Sequence, residues 1–445
     1  MIPAPVALRE PRFRRLWLAQ AVSQTGDGLT GLALFVTIYR LSGSAATVGA
    51  LAAITALPQL AFGLFAGAWV DRWDRRRTMV VCDAVRAPLV AGLILVRGPH
   101  DLPLMFALAT LQSAAGVLFE PARNALTPAL VPRAALVSAN SLAQSTRVAT
   151  GAVGAAAAGV LLALPHGAQW AFGLDALSFA AAAVWTAGLP GAYRARRDAD
   201  ARAPRGILHE IGEGLRVLGS DRRLLGVLLA FAVALLGIGT VNVLFVPFLV
   251  GTLHVSTTVL GMVRAAQIVG MVLMGALLAG PGARLSAGTL VTSGMLLLAA
   301  GLAALAAASG LAALFAGLLV TGLASTMLQS GSNAYLQAAV PDALRGRVES
   351  TLDTLLMVAL TTAMATSGAV GQRLGMRRAF GLAAAFAALG GAIARALLGA
   401  RDATSVLTAT GDGDTVATAG DVGRPFAGDR SDRPSPPLPS EELRG

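Results

Sequence analysis

The chain has 445 residues, of which 55% are hydrophobic and only 13% are charged, and its mean hydropathy is +0.67. Soluble domains carry about twice that charged fraction, so this composition excludes a soluble protein and indicates a polytopic membrane protein. The formal net charge of +11 would suggest nucleic-acid binding in a soluble chain. Here the arginines lie mostly at the ends of apolar runs, so we expect no nucleic-acid partner.

Twelve apolar runs follow one another along the chain. A spanning helix needs about 20 predominantly apolar residues, so we predict an all-α membrane protein with twelve transmembrane helices. The predicted helices cover residues 13–39, 47–70, 78–96, 102–119, 138–164, 169–189, 224–250, 257–279, 287–308, 311–337, 350–372 and 379–398.

The runs fall into two sets of six. We predict an N-terminal six-helix half over residues 1–190, a cytoplasmic linker over 191–223, a C-terminal six-helix half over 224–400 and a tail over 401–445. The tail is rich in Thr, Gly, Asp and Pro and lacks apolar periodicity. A segment of that composition cannot bury a core, so we expect the tail to be disordered in the cytoplasm.

An internal repeat relates the two halves. The loop after the fourth run contains Asn124-Ala125 and Val131-Pro132, and the loop after the tenth contains Asn333-Ala334 and Val340-Pro341, at a constant offset of 209 residues. Both segments follow the fourth helix of their half and lie on the same side of the membrane. They therefore predict parallel repeats related by a pseudo-two-fold axis along the membrane normal.

The arginines are distributed unevenly between the two sides of the membrane. With both termini in the cytoplasm, 21 arginines lie in cytoplasmic segments and five in external loops. Short arginine-rich loops stay on the cytoplasmic side. We therefore predict a multi-pass protein of the inner (cytoplasmic) membrane with cytoplasmic termini, although Arg373, Arg377 and Arg378 in the last external loop go against the rule.

Residues for enzyme or metal chemistry are scarce. The chain has one cysteine, Cys82, and four histidines that are scattered singly. A chain without lysine cannot form the Gly-x-x-x-x-Gly-Lys phosphate loop of ATP-driven pumps. We predict no catalytic residue, no metal site and no cofactor, which disfavours an enzyme; a membrane receptor or scaffold remains the alternative to a transporter.

Asp27 lies midway along the first predicted helix, in Ser23-Gln24-Thr25-Gly26-Asp27. Ionisable residues inside membrane helices are costly and usually face a cavity or a proton path. Asp27 is therefore the candidate for proton coupling. The alternative is a permanent ion pair with an arginine, such as Arg147 or Arg264.

Other polar residues within the predicted helices are candidates for a substrate cavity. Hydrogen bonding between helices is the alternative interpretation for such residues as a class. The cavity candidates are Gln24, Gln59, Arg147, Asn242, Arg264 and Gln267.

Three further acidic residues have structural interpretations. Asp83 and Arg86 are three positions apart, which predicts an ion pair on one helix face. Asp353 follows Ser350 by three, which fits a capping box at a helix start. Asp175 lies early in the sixth predicted helix, so we expect it near the membrane surface.

The segment between the second and third runs carries the pattern Gly-x-x-x-Asp-Arg-x-x-Arg-Arg. It resembles the loop 2-3 signature of the major facilitator superfamily of secondary transporters, except that Asp74 stands where the family usually has glycine. The resemblance implies a conformational latch between the two halves. The implied latch residues are Gly67, Asp71, Arg72 and Arg76.

Three further segments and the Gly26-Asp27 pair resemble the branch of this superfamily that includes enterobactin exporters and macrolide-efflux-type proteins. The segments are Glu120-Pro121-Ala122-Arg123, Leu130-Val131-Pro132 and Ala139-Asn140-Ser141-Leu142. The resemblance implies export of a bulky, partly apolar molecule, drug-like or siderophore-like, driven by proton entry. We expect a monomer that works by alternating access. The fifth predicted helix lacks the proline of the family's antiporter signature, and an importer or a lipid flippase of the same fold remains an alternative.

Overall fold

The computed structural model of the chain describes residues 6–194, 212, 216, 219, 222–280, 282, 285–340 and 342–398. All the long elements in these residues are helices, and no strand occurs among them. The predicted tail over 401–445 and most of the predicted linker over 191–223 lie outside the described residues.

Seven α-helices form the N-terminal half. They are α1 (Pro11–Ser42), α2 (Ala45–Val70), α3 (Arg75–Gly92), α4 (Leu102–Gly116), α5 (Phe119–Leu126), α6 (Leu136–Leu161) and α7 (Gly167–Ala187). The fourth predicted helix is thus divided into α4 and α5, with a break at Val117 and Leu118. Pro121 lies in the first turn of α5, where its missing N–H leaves no helical hydrogen bond unmade.

Six α-helices form the C-terminal half. They are α8 (Arg222–Val246), α9 (Thr257–Ala279), α10 (Ala287–Ala307), α11 (Leu311–Ala339), α12 (Asp342–Leu374) and α13 (Met376–Leu398). With α4 and α5 taken as one broken helix, the described residues contain the twelve predicted spanning helices. The capping-box prediction is wrong, because α12 begins eight residues before Ser350 and places Ser350 and Asp353 inside the helix.

Ten helical segments of the described chain are long and apolar enough to cross a membrane. Two of the twelve helices, α1 and α6, are not among the ten, because polar residues such as Gln24, Asp27 and Arg147 lower their hydropathy. These two helices nonetheless pack against each other within the bundle. Because polar residues within spanning helices usually face a cavity, α1 and α6 are the first place to look for a candidate functional site.

The two halves repeat one packing scheme. In the first half α1 packs against α6 and α7, and in the second half the equivalent helix α8 packs against α12 and α13. Between the halves, α2 packs against α12 and α6 packs against α9. A two-fold rotation that places each half on the other also places the α2–α12 contact on the α6–α9 contact. This relation confirms the predicted parallel pseudo-two-fold repeat.

The crossing of α1 and α6 depends on glycine. A Cβ atom at Gly154 would collide with the carbonyl oxygen of Thr25 and would lie 2.8 Å from the Cα atom of Gly28. Small residues at such crossings let two backbones approach closely. The polar faces of α1 and α6 are therefore held together by backbone contact.

Replacing Gly154 with valine is expected to destabilise the protein by about 1–3 kcal/mol, because an overpacked contact forces the helices apart. Thermal unfolding of the purified protein in detergent measures the effect as a lower midpoint. Gly31→Val on α1 is the matched control, since no atom lies within 4 Å of a Cβ at Gly31. Equal midpoints for the two variants would contradict this account of the crossing.

Candidate functional site

An ion pair joins α1 to α3 inside the bundle. The Oδ1 atom of Asp27 accepts a hydrogen bond from an Nη atom of Arg86 at 2.6 Å. The Arg86 guanidinium also lies 4.0 Å from the ring centroid of Phe179 on α7. The Arg86 side chain is 12% exposed whereas that of Asp27 is 40% exposed, so the carboxyl group is the accessible member of the pair.

This pair corrects two predictions. Asp27 is paired with an arginine, as the alternative interpretation expected, but the partner is Arg86 and neither Arg147 nor Arg264. The predicted local pair of Asp83 with Arg86 is also wrong, because the Arg86 guanidinium reaches from α3 to α1 instead of bonding along its own helix. Spacing of three residues permits a local pair, but it cannot show that a partner on another helix lies closer.

Two more carboxyl groups are buried beside this pair. Asp83 on α3 is fully buried, and neither of its oxygens has a hydrogen-bond partner among the described residues. Asp175 on α7 is also fully buried and lies against Gly26, where a Cβ atom would collide with it. The expectation that Asp175 lies near the membrane surface is therefore wrong, and the glycine that precedes Asp27 was the sequence signal for this contact.

A second ionic cluster links α5 to α6. Glu120 accepts a hydrogen bond from Arg147 at 2.6 Å and forms an ion pair with Arg123, also at 2.6 Å. The Arg147 side chain remains 41% exposed. One turn away from Arg147, the Thr150 hydroxyl donates to Gln24 on α1 at 3.4 Å, so two of the cavity candidates lie at this junction. The sequence pattern marks Glu120 only as part of a family motif and does not indicate that it is the partner of Arg147.

The second half also carries an embedded cation. Arg264 on α9 lies 5.3 Å from the ring centroid of Phe245 on α8. Among the described residues, no carboxylate lies within 4.0 Å of it. The cavity candidates Gln267 and Asn242 are half-buried on the same two helices, so three of the predicted residues lie on this pair of helices.

A cavity of about 230 Å³ lies between parts of α2 and α12, which pack against each other elsewhere along their lengths. It lies towards the end of the bundle that carries the α2–α3 loop. Gln59, predicted as a cavity residue, is part of its wall, and so is Asp353 from the other half. The remaining lining residues are Leu60, Gly63, Ser350, Thr354 and Met357.

At the opposite end of the bundle the two halves touch. The Ser44 hydroxyl at the start of α2 donates to the Gln372 side chain near the end of α12 at 3.4 Å. A Cβ atom at Gly159 on α6 would lie 3.0 Å from the Cα atom of Gly261 on α9. The bundle is therefore closed at this end, while the halves are separated by the α2–α12 cavity on the side of the α2–α3 loop.

The α2–α3 loop is fastened to the N-terminal half. Arg76 donates to the carbonyl oxygens of Leu189 and Ala187. Asp71 lies 3.9 Å from Arg75, and no atom lies within 4 Å of a Cβ at Gly67. Within the described chain, no hydrogen bond or ion pair joins the predicted latch residues, which include the exposed Arg72, to the C-terminal half.

Asp74, which departs from the family pattern, has a structural role. Its Oδ1 atom accepts a hydrogen bond from the backbone N–H of Arg77 at 2.9 Å and caps the start of α3. Its Oδ2 atom accepts from the backbone N–H of Tyr193 at 2.7 Å. The carboxylate therefore joins the loop to the segment that follows α7, a function that glycine could not perform.

Comparison with known proteins agrees with this architecture. Residues 16–281 and 227–428 match the family model of the Major Facilitator Superfamily. The chain is 31% identical over 227 residues to the multidrug efflux pump Tap of Mycobacterium tuberculosis, covering 48% of this chain and 52% of Tap. It is 26% identical over 271 residues to macrolide efflux protein A of Streptococcus pyogenes, covering 59% of this chain and 66% of that protein.

The chain therefore spans less than two thirds of either relative. Among solved structures, a crystal structure of a mutant of the nucleoside transporter NupG has a TM-score of 0.73, with 12% identity over 87% of this chain and 100% of that one. Identity this low shows the fold alone. The family match extends over both halves of the chain, and with the twelve-helix repeat it shows that this protein belongs to the Major Facilitator Superfamily.

Proposed function

We propose that the protein exports a bulky drug-like molecule in exchange for protons, by alternating access. The observation that carries the proposal is the Asp27–Arg86 pair, because a partly accessible carboxyl group lies inside the bundle beside the α1–α6 crossing. The names of two relatives, a multidrug pump and a macrolide efflux protein, support the direction and the class of substrate.

The distribution of arginines supports a cytoplasmic position for the α2–α3 loop. With that orientation, the closed end of the bundle faces outwards and the cavity between α2 and α12 opens to the cytoplasm. The conformation described here is then the inward-facing one, which accepts a substrate from the cytoplasm.

Proton binding at Asp27 provides the coupling step. A protonated Asp27 no longer attracts the Arg86 guanidinium as an ion pair, so the link between α1 and α3 weakens. A ligand shifts a conformational equilibrium only through its different affinities for the two states. We propose that the proton favours the inward-facing state and that substrate competes with it for that state.

The chemistry of the cavity candidates supports an amphipathic substrate. Gln24, Gln59, Asn242 and Gln267 provide hydrogen-bonding groups, and Arg264, which lies over the buried ring of Phe245, provides a positive charge. Mostly apolar cavities with a few polar groups bind drug-sized molecules. We propose that Arg264, which has no carboxylate partner among the described residues, binds an anionic or strongly accepting group of the substrate.

The proposed role of Arg264 makes a specific prediction. Arg264→Gln is expected to raise the apparent KM for an anionic fluorescent probe by about tenfold or more, since a charged hydrogen bond contributes about 1.5–3 kcal/mol. The KM for a cationic probe is expected to stay the same or fall. Transport assays in vesicles with both probes measure the split, and Arg97→Gln in the outer loop is the control. An equal change in KM for both probes would contradict the proposed contact between Arg264 and the substrate.

The latch residues are proposed to act in the other conformation. The free space beside Gly67 leaves room for a backbone of the second half when the cytoplasmic ends approach each other. Asp71, 66% exposed in the present state, is then available to a helix N-terminus of that half. We propose that Gly67, Asp71, Arg72 and Arg76 hold the outward-facing state.

Energised inside-out vesicles test the proposed function. The probes are a macrolide and a fluorescent lipophilic cation, and vesicles without the protein provide the background. Accumulation that requires the proton gradient is the expected result. Accumulation that persists after the gradient is dissipated would overturn proton coupling, and accumulation only in right-side-out vesicles would indicate import.

A further inference from the structure

Three carboxyl groups and one guanidinium group form a compact set inside the N-terminal half. Asp27 comes from α1, Asp83 and Arg86 from α3, and Asp175 from α7. Each of the three aspartates lies within electrostatic range of Arg86 and of at least one other aspartate. Only Asp27 is joined to the cation by a hydrogen bond.

The single cation cannot balance three ionised carboxyl groups. Asp83 is fully buried and neither oxygen has a partner in the described chain. The neighbours of Asp175 are the hydroxyl groups of Ser178 and Thr30 and not a cation. An unpaired buried carboxylate is far costlier than the neutral acid, so the arrangement is consistent with one ionised carboxyl group, Asp27, and two protonated ones.

The charged and titratable groups around this set do not supply another cation. On α3 the titratable residue next to Asp83 is Cys82, and α4 carries no charged residue. The α5 and α6 groups that act on Asp27 are Glu120 and Arg147, which bond to each other. Arg86 is therefore the cation available to all three aspartates.

Arg86 has a second carboxyl group within reach on its own helix. Residues three positions apart on a helix face are neighbours, so rotation of the Arg86 side chain can bring its guanidinium to Asp83. We infer that Arg86 exchanges partners during the transport cycle, from Asp27 to Asp83, and that Asp83 is a second proton-carrying group. This inference deepens the proposed function and rests on it for its place in a cycle.

The exchange conserves both protons and charge. When Asp27 takes up a proton, its oxygen gains an O–H bond and the ion pair with Arg86 is lost. Arg86 then pairs with Asp83, whose O–H bond breaks and whose proton leaves. The set contains one carboxylate and one guanidinium before and after the step, so no unpaired charge is created in the interior.

The positions of the aspartates along their helices give the exchange a direction. Asp83 lies eight residues from the start of α3, or about 12 Å from the end that carries the α2–α3 loop. Asp175 lies eight residues from the start of α7, or about 12 Å from the opposite end. A proton that passes through Asp27 to Asp83 therefore moves towards the α2–α3 side.

Infrared difference spectroscopy tests the inference without a substrate. The purified protein in lipid is titrated with acid and base, and the carbonyl-stretch bands of protonated carboxyl groups are recorded. We expect Asp83→Asn to remove one band that the wild-type protein shows at neutral pH. We expect Asp27→Asn to remove the same band, because Arg86 then pairs with Asp83 and ionises it. Asp101→Asn, in an outer loop, is the control.

Two results would overturn the inference. One is a wild-type spectrum at neutral pH without a band that Asp83→Asn removes. The other is an Asp83 band that persists in Asp27→Asn, which would show that Arg86 does not change partners. If Asp83→Asn fails to fold, Asp83→Glu replaces it and is expected to shift the band. Failure of proton-driven transport with the expected bands present would contradict the proposed function alone.

Discussion

The rate of proton-driven transport is expected to fall by about tenfold or more in Asp27→Asn. A tenfold fall corresponds to an activation free energy that is higher by ~1.4 kcal/mol. Asparagine has nearly the shape of aspartate but cannot bind and release a proton, and it cannot form the ion pair with Arg86. Probe accumulation in energised inside-out vesicles, normalised to the amount of protein, measures the loss.

Two variants control this experiment. Asp27→Glu keeps the carboxyl group and is expected to retain part of the transport, whereas a purely steric role would predict that Asp27→Asn, which has nearly the shape of aspartate, retains more transport than Asp27→Glu. Asp101→Asn removes a loop carboxylate that accepts backbone hydrogen bonds from Arg97 and Gly98 and lies 3.3 Å from His100, and is expected to transport normally. Full activity of Asp27→Asn would move the coupling site to another carboxyl group.

Cross-linking the closed end is expected to reduce the transport rate by more than about tenfold, because alternating access requires the two halves to separate there. The Ser44 and Gln372 side chains are in contact across the halves, 3.4 Å apart. Cysteines at these two positions, in a Cys82→Ser background, are joined by oxidation or by a short bifunctional thiol reagent. Transport before and after reduction measures the effect.

The same design has an internal control. Cysteines at Gln59 and Thr354 line opposite walls of the cavity between α2 and α12, and the same short reagent is expected to join them poorly in the conformation described here. Each single-cysteine variant is expected to transport normally under oxidation. Efficient cross-linking of Ser44→Cys to Gln372→Cys without loss of transport would contradict movement of the halves at that end.

The fold was largely predictable because its signals are local. Apolar runs of the required length predict spanning helices, and the repeat from Asn124 and Asn333 onwards predicts two equivalent halves. Both predictions are confirmed. The division of the fourth helix at Val117 and the early start of α12 were missed, since neither depends on the apolar content from which helix boundaries were predicted.

The candidate site was less predictable because ion pairing depends on helix rotation. Asp27 was selected from its depth along one helix, but its partner Arg86 lies 59 residues away on another. Spacing alone favoured the pair of Asp83 with Arg86. The depth of Asp175 was misjudged because its contact with Gly26 on α1 cannot be deduced from its own helix. The proposed cavity and latch residues remain predictions.

The most direct test of proton coupling at the Asp27–Arg86 pair uses purified protein in liposomes with a pH-sensitive dye inside. A macrolide gradient is the only driving force imposed. Protons are expected to move opposite to the macrolide. Inward macrolide movement through the wild-type protein therefore raises the internal pH and outward movement lowers it, whereas the internal pH does not change in Asp27→Asn. Macrolide movement through the wild-type protein without a pH change, or a pH signal in Asp27→Asn like that of the wild type, would contradict this account.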